Sequence, residues 1–171
     1  DIVDAQRPTY RPATRAKRGE GTPHRFFLEW SDIHGAEVVN AEEMNGINEY
    51  NWDVMLRRHE KIRQSVLSFK EHRPYPVEGL HIAALGDMVT GDIHDELRIT
   101  NERVATEAAV TLGLDLGEWL EGFVPEFPWI QIDAVFGNHG RLTPKPSFKQ
   151  AYNNWDWVFY NVIKQWLSRY P

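Results

Sequence analysis

The sequence predicts an α/β fold with a mainly parallel sheet flanked by helices. Three short apolar runs are separated by longer segments in which apolar residues recur at helical spacing, so strands and helices alternate along the chain. This alternation is typical of parallel sheets, because parallel neighbours need a crossover connection that is usually helical. A polar cluster follows each apolar run, which places polar side chains at the strand ends.

The element boundaries follow from apolar periodicity and from the positions of proline and glycine. Pro74 and Pro76 end the first helical pattern, and Gly113 and Gly117 are expected to break the second one before a further short helix. The predicted elements, in chain order, are a strand over residues 25–31, a helix over 49–72, a strand over 80–85, a helix over 96–112, a short helix over 119–123, a strand over 129–136 and a helix over 147–169.

The composition is that of an ordinary globular domain. The chain has 171 residues, of which 42% are hydrophobic and 26% are charged, which suits one domain with a hydrophobic core. No apolar run approaches the ~20 residues that a membrane helix requires, so no membrane partner is expected. The expected location is the cytoplasm. The chain has no cysteine, which excludes disulfides and thiolate metal sites and leaves oxygen and imidazole groups as metal ligands.

The charge is distributed unevenly along the chain. The net charge of −6 argues against a protein that coats nucleic acid nonspecifically, but residues 7–25 carry six basic groups against Glu20 alone. Residues 1–23 contain three prolines and show no periodicity, so they are predicted to be a disordered basic tail or linker before a domain over 24–171. The alternative interpretation is a basic arm that steers a phosphate-bearing polymer such as nucleic acid.

The three polar clusters contain the residues from which a function can be argued. Because the carboxyl ends of parallel strands meet at one edge of a sheet, side chains that follow them converge where open α/β sheets bind ligands. Carboxylate, imidazole and carboxamide groups gathered there suit hard or borderline divalent cations. Asp32 and His34 are two residues apart, so in extended backbone both face one ion while Ile33 points into the core. The clusters are Ser31-Asp32-Ile33-His34-Gly35, Leu85-Gly86-Asp87 and Phe136-Gly137-Asn138-His139-Gly140-Arg141.

In this order, the clusters resemble the calcineurin-like metallophosphoesterase superfamily, whose pattern reads Asp-x-His, Gly-Asp and then Gly-Asn-His. The resemblance covers residues 26–141 and implies half of a metallophosphoesterase-type α/β sandwich. It implies that Asp32 and His34 bind one metal ion, that Asp87 bridges two ions, and that Asn138 binds the second. The ions would be divalent, with manganese expected and iron or zinc as alternatives, and a water activated by both would be the nucleophile.

The resemblance also gives His139 a catalytic role, because it implies that this histidine stabilises the transition state or protonates the leaving alkoxide. Arg141 has a guanidinium suited to gripping a phosphate oxygen, and a surface salt bridge is an equally open interpretation. The expected function is metal-dependent hydrolysis of a phosphomonoester or phosphodiester. A nucleic-acid nuclease of the same superfamily is the alternative within this class.

Three departures limit what the resemblance carries over. Gly140 stands where an acidic residue commonly follows Asn-His, and Thr90-Gly91 stands where the protein-phosphatase branch has Asp-Arg. No histidine follows His139, although the superfamily completes its metal site with later histidines. We therefore expect that the chain lacks a C-terminal half, that another subunit completes the site, or that the chain is a degenerate, metal-poor binding or scaffold module. An unrelated α/β protein with coincidental strand-end turns is the remaining alternative.

Overall fold

Strands and helices alternate in the structure, a computed structural model that describes residues 21–145 and 152–170. The three strands form one parallel sheet in the order β1-β2-β3, flanked by helices, so the predicted fold class is confirmed. None of the helices within those two ranges has the length and apolar character needed to cross a bilayer. The elements are β1 (His24–Trp30), α1 (Trp52–Glu71), β2 (Val77–Ala84), α2 (Asp95–Thr100), α3 (Ala105–Glu121), β3 (Ile130–Ala134) and α4 (Trp155–Leu167).

Two predictions fall partly outside the described residues. The tail or linker predicted over residues 1–23 is described only from residue 21. The helix predicted over residues 147–169 is described only from residue 152. Residues 152–154 are described and are not helical, because α4 begins only after the N-cap Asn154. The side-chain oxygen of Asn154 accepts a hydrogen bond from the Asp156 backbone N–H at 2.8 Å, which fixes the first turn of the helix.

One face of the sheet is buried against the helices. Leu28 of β1 pairs with Ile82 of β2, which pairs with Ile132 of β3, so apolar side chains form a row across the sheet. Side chains from α1, α3 and α4 complete the core over this row. The alternate residues of the strands point the other way, and Phe27 among them is 60% exposed. The helices therefore pack on the face of the sheet that carries Leu28, Ile82 and Ile132.

The second helical segment differs from the prediction in where it breaks. The expected helix over 96–112 divides into α2 and α3, and α3 then continues through both glycines to Glu121. A Cβ on Gly113 would lie 2.6 Å from Val162 Cβ, and one on Gly117 would lie 2.9 Å from Trp166 Cγ. The predicted break at these glycines is wrong, because they allow α3 to pack closely on α4. That packing outweighs a propensity cost of about 1 kcal/mol for each glycine.

His59 lies on the buried face of α1 and is a fully bonded core residue. Its Nε2 accepts a hydrogen bond from Trp30 Nε1 at 3.0 Å, and its Nδ1 lies 2.9 Å from the Met55 carbonyl oxygen. The first contact leaves Nε2 without a proton, so the ring is neutral with the proton on Nδ1. Burial lowers the pKa of His59 from its ordinary value of 6.5, and the bond to the Met55 carbonyl partly opposes that shift.

This shift predicts that acidification destabilises the fold through His59. Above pH 6.5 both the folded and the unfolded chain hold a neutral imidazole, so His59 adds no pH dependence. Below that value the unfolded chain takes up a proton that the folded chain does not, and the free energy of unfolding falls by up to about 1.4 kcal/mol per pH unit. Urea denaturation of the protein and of His59→Gln measures this. Equal pH slopes for the two chains would contradict the assignment.

Candidate metal centre

The first two motif loops are joined by backbone hydrogen bonds beyond the ends of β1 and β2. Asp32 N–H donates to the Gly86 carbonyl at 3.1 Å, and His34 N–H donates to the Asp87 carbonyl at 3.1 Å. Gly35 then forms a parallel bridge with Val89, so the pairing of the two strands continues into the loops. These bonds hold His34 beside Asp87.

The third motif loop packs directly against the second. The backbone N–H of His139 donates to Asp87 Oδ1 at 2.8 Å, which brings a histidine from the end of β3 to the carboxylate from the end of β2. A Cβ on Gly86 would lie 2.4 Å from Gly137 N, so the two backbones touch where a side chain would separate them. The glycines that frame the motifs therefore permit the approach of the loops.

Three of the predicted metal ligands have left-handed backbone, which is uncommon for residues other than glycine. The φ angles are 52° at Asp32, 50° at His34 and 53° at Asp87. Such conformations cost free energy and cluster at functional sites, where surrounding contacts hold them. The loop-to-loop hydrogen bonds supply those contacts here. The extended backbone expected at Asp32 and His34 is therefore wrong, although Ile33 between them is buried as predicted.

His34, Asp87 and His139 form a cluster able to hold a metal ion. One ligand atom from each residue lies within 4.8 Å of the ligand atoms of the other two. The rings of His34 and His139 are 4.4 Å apart, centroid to centroid, at an angle of 78°. All three side chains are partly buried. The groups come from the ends of three different strands, as the order of the motifs predicts.

The hydrogen bonding of the two histidines fits metal ligation. His139 Nδ1 lies 3.3 Å from the Thr90 carbonyl, which can only accept, so the neutral ring has its proton on Nδ1 and its lone pair on Nε2. Ligating histidines commonly donate their other ring N–H to a carbonyl in this way. His34 Nδ1 is buried without a hydrogen-bond partner, and the carboxylate of Glu37 lies 3.6 Å from it. The donor set therefore fits a divalent cation that accepts nitrogen and oxygen ligands.

The other predicted site residues lie at the rim of the cluster. Asp32 has an exposed carboxylate with Oδ1 3.9 Å from His34 Nε2, so it adjoins the cluster. The carboxamide of Asn138 is exposed and makes no hydrogen bond to another described residue, while its backbone carbonyl accepts from Arg141 Nε at 2.9 Å. Asp87 and His34 are thus the predicted ligands that the cluster includes, and His139 joins them as a third group with ligand geometry.

A buried carboxylate that the sequence did not single out ties two of the loops together. Asp156, in the first turn of α4, is 0% exposed and accepts four backbone hydrogen bonds. Asp156 Oδ2 accepts from Asp87 N–H at 3.0 Å and from Gly137 N–H at 2.8 Å. Oδ1 accepts from the N–H groups of Met88 and Val89 at 3.1 Å and 3.2 Å. The α4 N-terminus is therefore the anchor for the second and third motif loops.

The environment of Asp156 has opposing effects on its ionisation. Burial raises the pKa of the carboxyl group, and the four N–H donors lower it without cancelling the shift. Asn154, the N-cap, adds a contact of the same kind by donating from its side chain to the Gly137 carbonyl at 3.0 Å. The local signal for this role was a helix-cap pattern, Asn-Trp-Asp, which the sequence repeats at Asn51-Trp52-Asp53 on α1. The pattern predicts a helix start but not which loops a carboxylate will reach.

Comparison with known proteins identifies no relative of this chain. No protein-family model matches it, and neither a curated protein nor a solved structure matches it significantly. The resemblance to the calcineurin-like metallophosphoesterases therefore depends on the motifs around Asp32, Asp87 and His139, and it stays a prediction.

Proposed function

We propose that this chain provides the metal-binding edge of a metal-dependent phosphoesterase, which hydrolyses a phosphomonoester or a phosphodiester. The observation that carries the proposal is the convergence of His34, Asp87 and His139 from three strand ends to within 4.8 Å. The proposal includes two divalent ions, with manganese expected and iron or zinc as alternatives. The motif pattern supports this choice over other metal-dependent chemistries.

Each residue has a role that follows from its chemistry. A bound divalent cation would neutralise phosphoryl charge and lower the pKa of a coordinated water. Asp87 offers a carboxylate whose Oδ1 is oriented by the His139 N–H, and His139 keeps Nε2 free because Nδ1 faces a carbonyl. Arg141 carries a permanent positive charge on the third loop and would exchange its contact with the Asn138 carbonyl for a phosphate oxygen.

A degenerate, metal-poor binding or scaffold module without hydrolytic activity is the second candidate. It is favoured by the exposed carboxamide of Asn138, which makes no hydrogen bond to another described residue although this group was expected to hold the second ion. Both candidates are compatible with binding of a first ion. Only the phosphoesterase is expected to bind a second ion and to hydrolyse an ester.

The metal site is tested by calorimetric titration of the full chain with Mn²⁺ and, separately, with Zn²⁺. We expect binding that weakens by at least about tenfold in His34→Ala and in Asp87→Asn, because each change removes one ligand. His81→Ala is the matched control, since His81 pairs with Asp133 at 2.7 Å on the outer face of the sheet, away from the cluster. Equal loss of affinity in the control and in the two site variants would contradict the site.

Turnover separates the two candidate functions. With Mn²⁺ bound, the phosphoesterase is expected to hydrolyse p-nitrophenyl phosphate or its bis ester, and Asp87→Asn and His139→Ala should abolish the reaction. Metal binding without hydrolysis of either ester supports the non-catalytic module. Cleavage of a single-stranded oligonucleotide that weakens steeply with salt would indicate the nuclease alternative, in which basic residues 7–25 contribute.

A further inference from the structure

A groove of about 880 Å³ lies between β1 and α1, and none of the residues that line it belongs to the candidate metal centre. Its floor includes Leu80, which is 0% exposed, and one wall is formed by Ile62, Val66 and Phe69 of α1. Phe69 is 57% exposed, and the Arg73 guanidinium lies 5.0 Å from the centre of its ring. The groove therefore offers apolar surface that the described part of the chain leaves open to solvent.

The groove runs along the unpaired edge of the sheet. β1 is an edge strand that pairs only with β2 among residues 21–145 and 152–170. Four consecutive residues, Arg25 to Leu28, line the groove although their side chains alternate between the two faces of the sheet. Because the groove contacts side chains from both faces of the sheet, it must follow the outer edge of β1. The backbone N–H and C=O groups of β1 that point away from β2 have no strand partner among the described residues, and such an edge can pair with an added strand.

The charge of the groove has one sign. Among the described residues, its lining contains Arg25, Arg58, Lys61 and Arg73 and no acidic residue, in a chain with a net charge of −6. Arg25 is paired with Glu78 at 3.2 Å, so part of its charge is neutralised. Lys61 is exposed and has no carboxylate within 4.0 Å among the residues described. An occupant with carboxylates would complement these groups.

We propose that this groove binds an extended peptide segment of a partner protein, with alternating apolar and acidic residues, which adds to β1 as a further strand. Apolar side chains would enter the groove beside Phe69 and carboxylates would face Lys61 and Arg73. A second copy of the same surface is disfavoured, because it would bring the same basic groups together. Residues 1–20 of the chain are also disfavoured, since they hold five basic residues against three acidic ones. The accessible strand edge and the apolar floor favour a peptide over nucleic acid.

The probe for this proposal is a fluorescent peptide of about ten residues with alternating valine and glutamate. Anisotropy with the full chain is expected to show saturable binding, at least about tenfold tighter than for the matched valine–lysine peptide and tighter than for oligo-dT of equal length. Hydrogen exchange is expected to show new protection at alternate amides of β1. Absence of binding, tighter binding of oligo-dT, or unchanged exchange at β1 would each overturn the proposal.

Two matched pairs of variants locate the binding surface. Lys61→Glu should weaken the valine–glutamate peptide by at least about tenfold, whereas Lys164→Glu, at an exposed position of α4, should leave it unchanged. Phe69→Asp should also weaken binding, and Val110→Asp, a partly exposed position of α3, is its control. Equal effects within either pair would overturn the assignment to the groove.

Discussion

Asp156→Asn is expected to lower the free energy of unfolding by about 2–4 kcal/mol, because a carboxamide cannot satisfy the four backbone donors that the carboxylate satisfies. Its single oxygen accepts from one side of the pocket, and its NH₂ group then faces the remaining N–H groups. Burial of the charge raises the pKa of Asp156, so removing that charge recovers some free energy. This gain offsets only part of the loss from the unsatisfied N–H groups. Urea denaturation of both chains measures the difference.

The same change should weaken Mn²⁺ binding at the candidate centre, although Asp156 is not among the three clustered residues. Its carboxylate fixes the backbone of Asp87 and of Gly137, and both loops move if these bonds are lost. We expect a loss of affinity of about tenfold to a hundredfold, which is typical when residues that orient metal ligands are changed. Calorimetric titration under conditions in which the variant remains folded measures it.

Asp53→Asn is the matched control, because the Asn-Trp-Asp pattern recurs there at the same position of a helix N-terminus. Asp53 is exposed, so its loss should remove only a favourable interaction with the helix dipole, about 0.3–1 kcal/mol. A loss of stability in Asp156→Asn no greater than in Asp53→Asn would show that the buried bonds to the loops do not contribute as described.

Gly113→Ala is expected to destabilise the protein by about 1–3 kcal/mol, against the usual gain from replacing glycine in a helix. The new Cβ would lie 2.6 Å from Val162 Cβ and 3.1 Å from the Phe159 carbonyl oxygen. Neither atom is the end of a flexible side chain, so α3 and α4 must move apart. Thermal and urea denaturation measure the change.

Val110→Ala is the control for Gly113→Ala, since Val110 lies on the same helix and is 44% exposed. It changes helix propensity without a clash, and we expect a change within about 0.5 kcal/mol. An increase in the stability of Gly113→Ala would mean that the helices are not packed as closely as the structure has them.

The elements that sequence reasoning predicted well are those with a local pattern. The short apolar runs in β1 and β2 and the helical spacing of apolar residues in α1 gave the order of the elements and the parallel sheet. The strand-end position of Asp32, Asp87 and His139 was likewise readable, because the direction of a parallel strand decides at which edge its following residues lie.

The points at which the structure differs from the sequence-based predictions all involve contacts between distant parts of the chain. Gly113 and Gly117 have the local character of helix breakers, and only the presence of α4 beside α3 turns them into contact positions. Asp156 and Asp53 have the same position in the first turn of a helix, yet among the described residues only Asp156 accepts hydrogen bonds from the second and third loops. Identical local patterns acquired different roles because their surroundings differ.

Residue order alone was enough to establish the strand–helix alternation, the parallel sheet and the edge at which polar groups gather. These follow from periodicity and from backbone geometry, which act over a few residues. Tertiary packing decided that His34, Asp87 and His139 form the tight cluster, that Asn138 faces solvent, and that Asp156 holds the loops. Those outcomes depend on how closely separate loops approach, and that distance is set by side chains far apart in the chain.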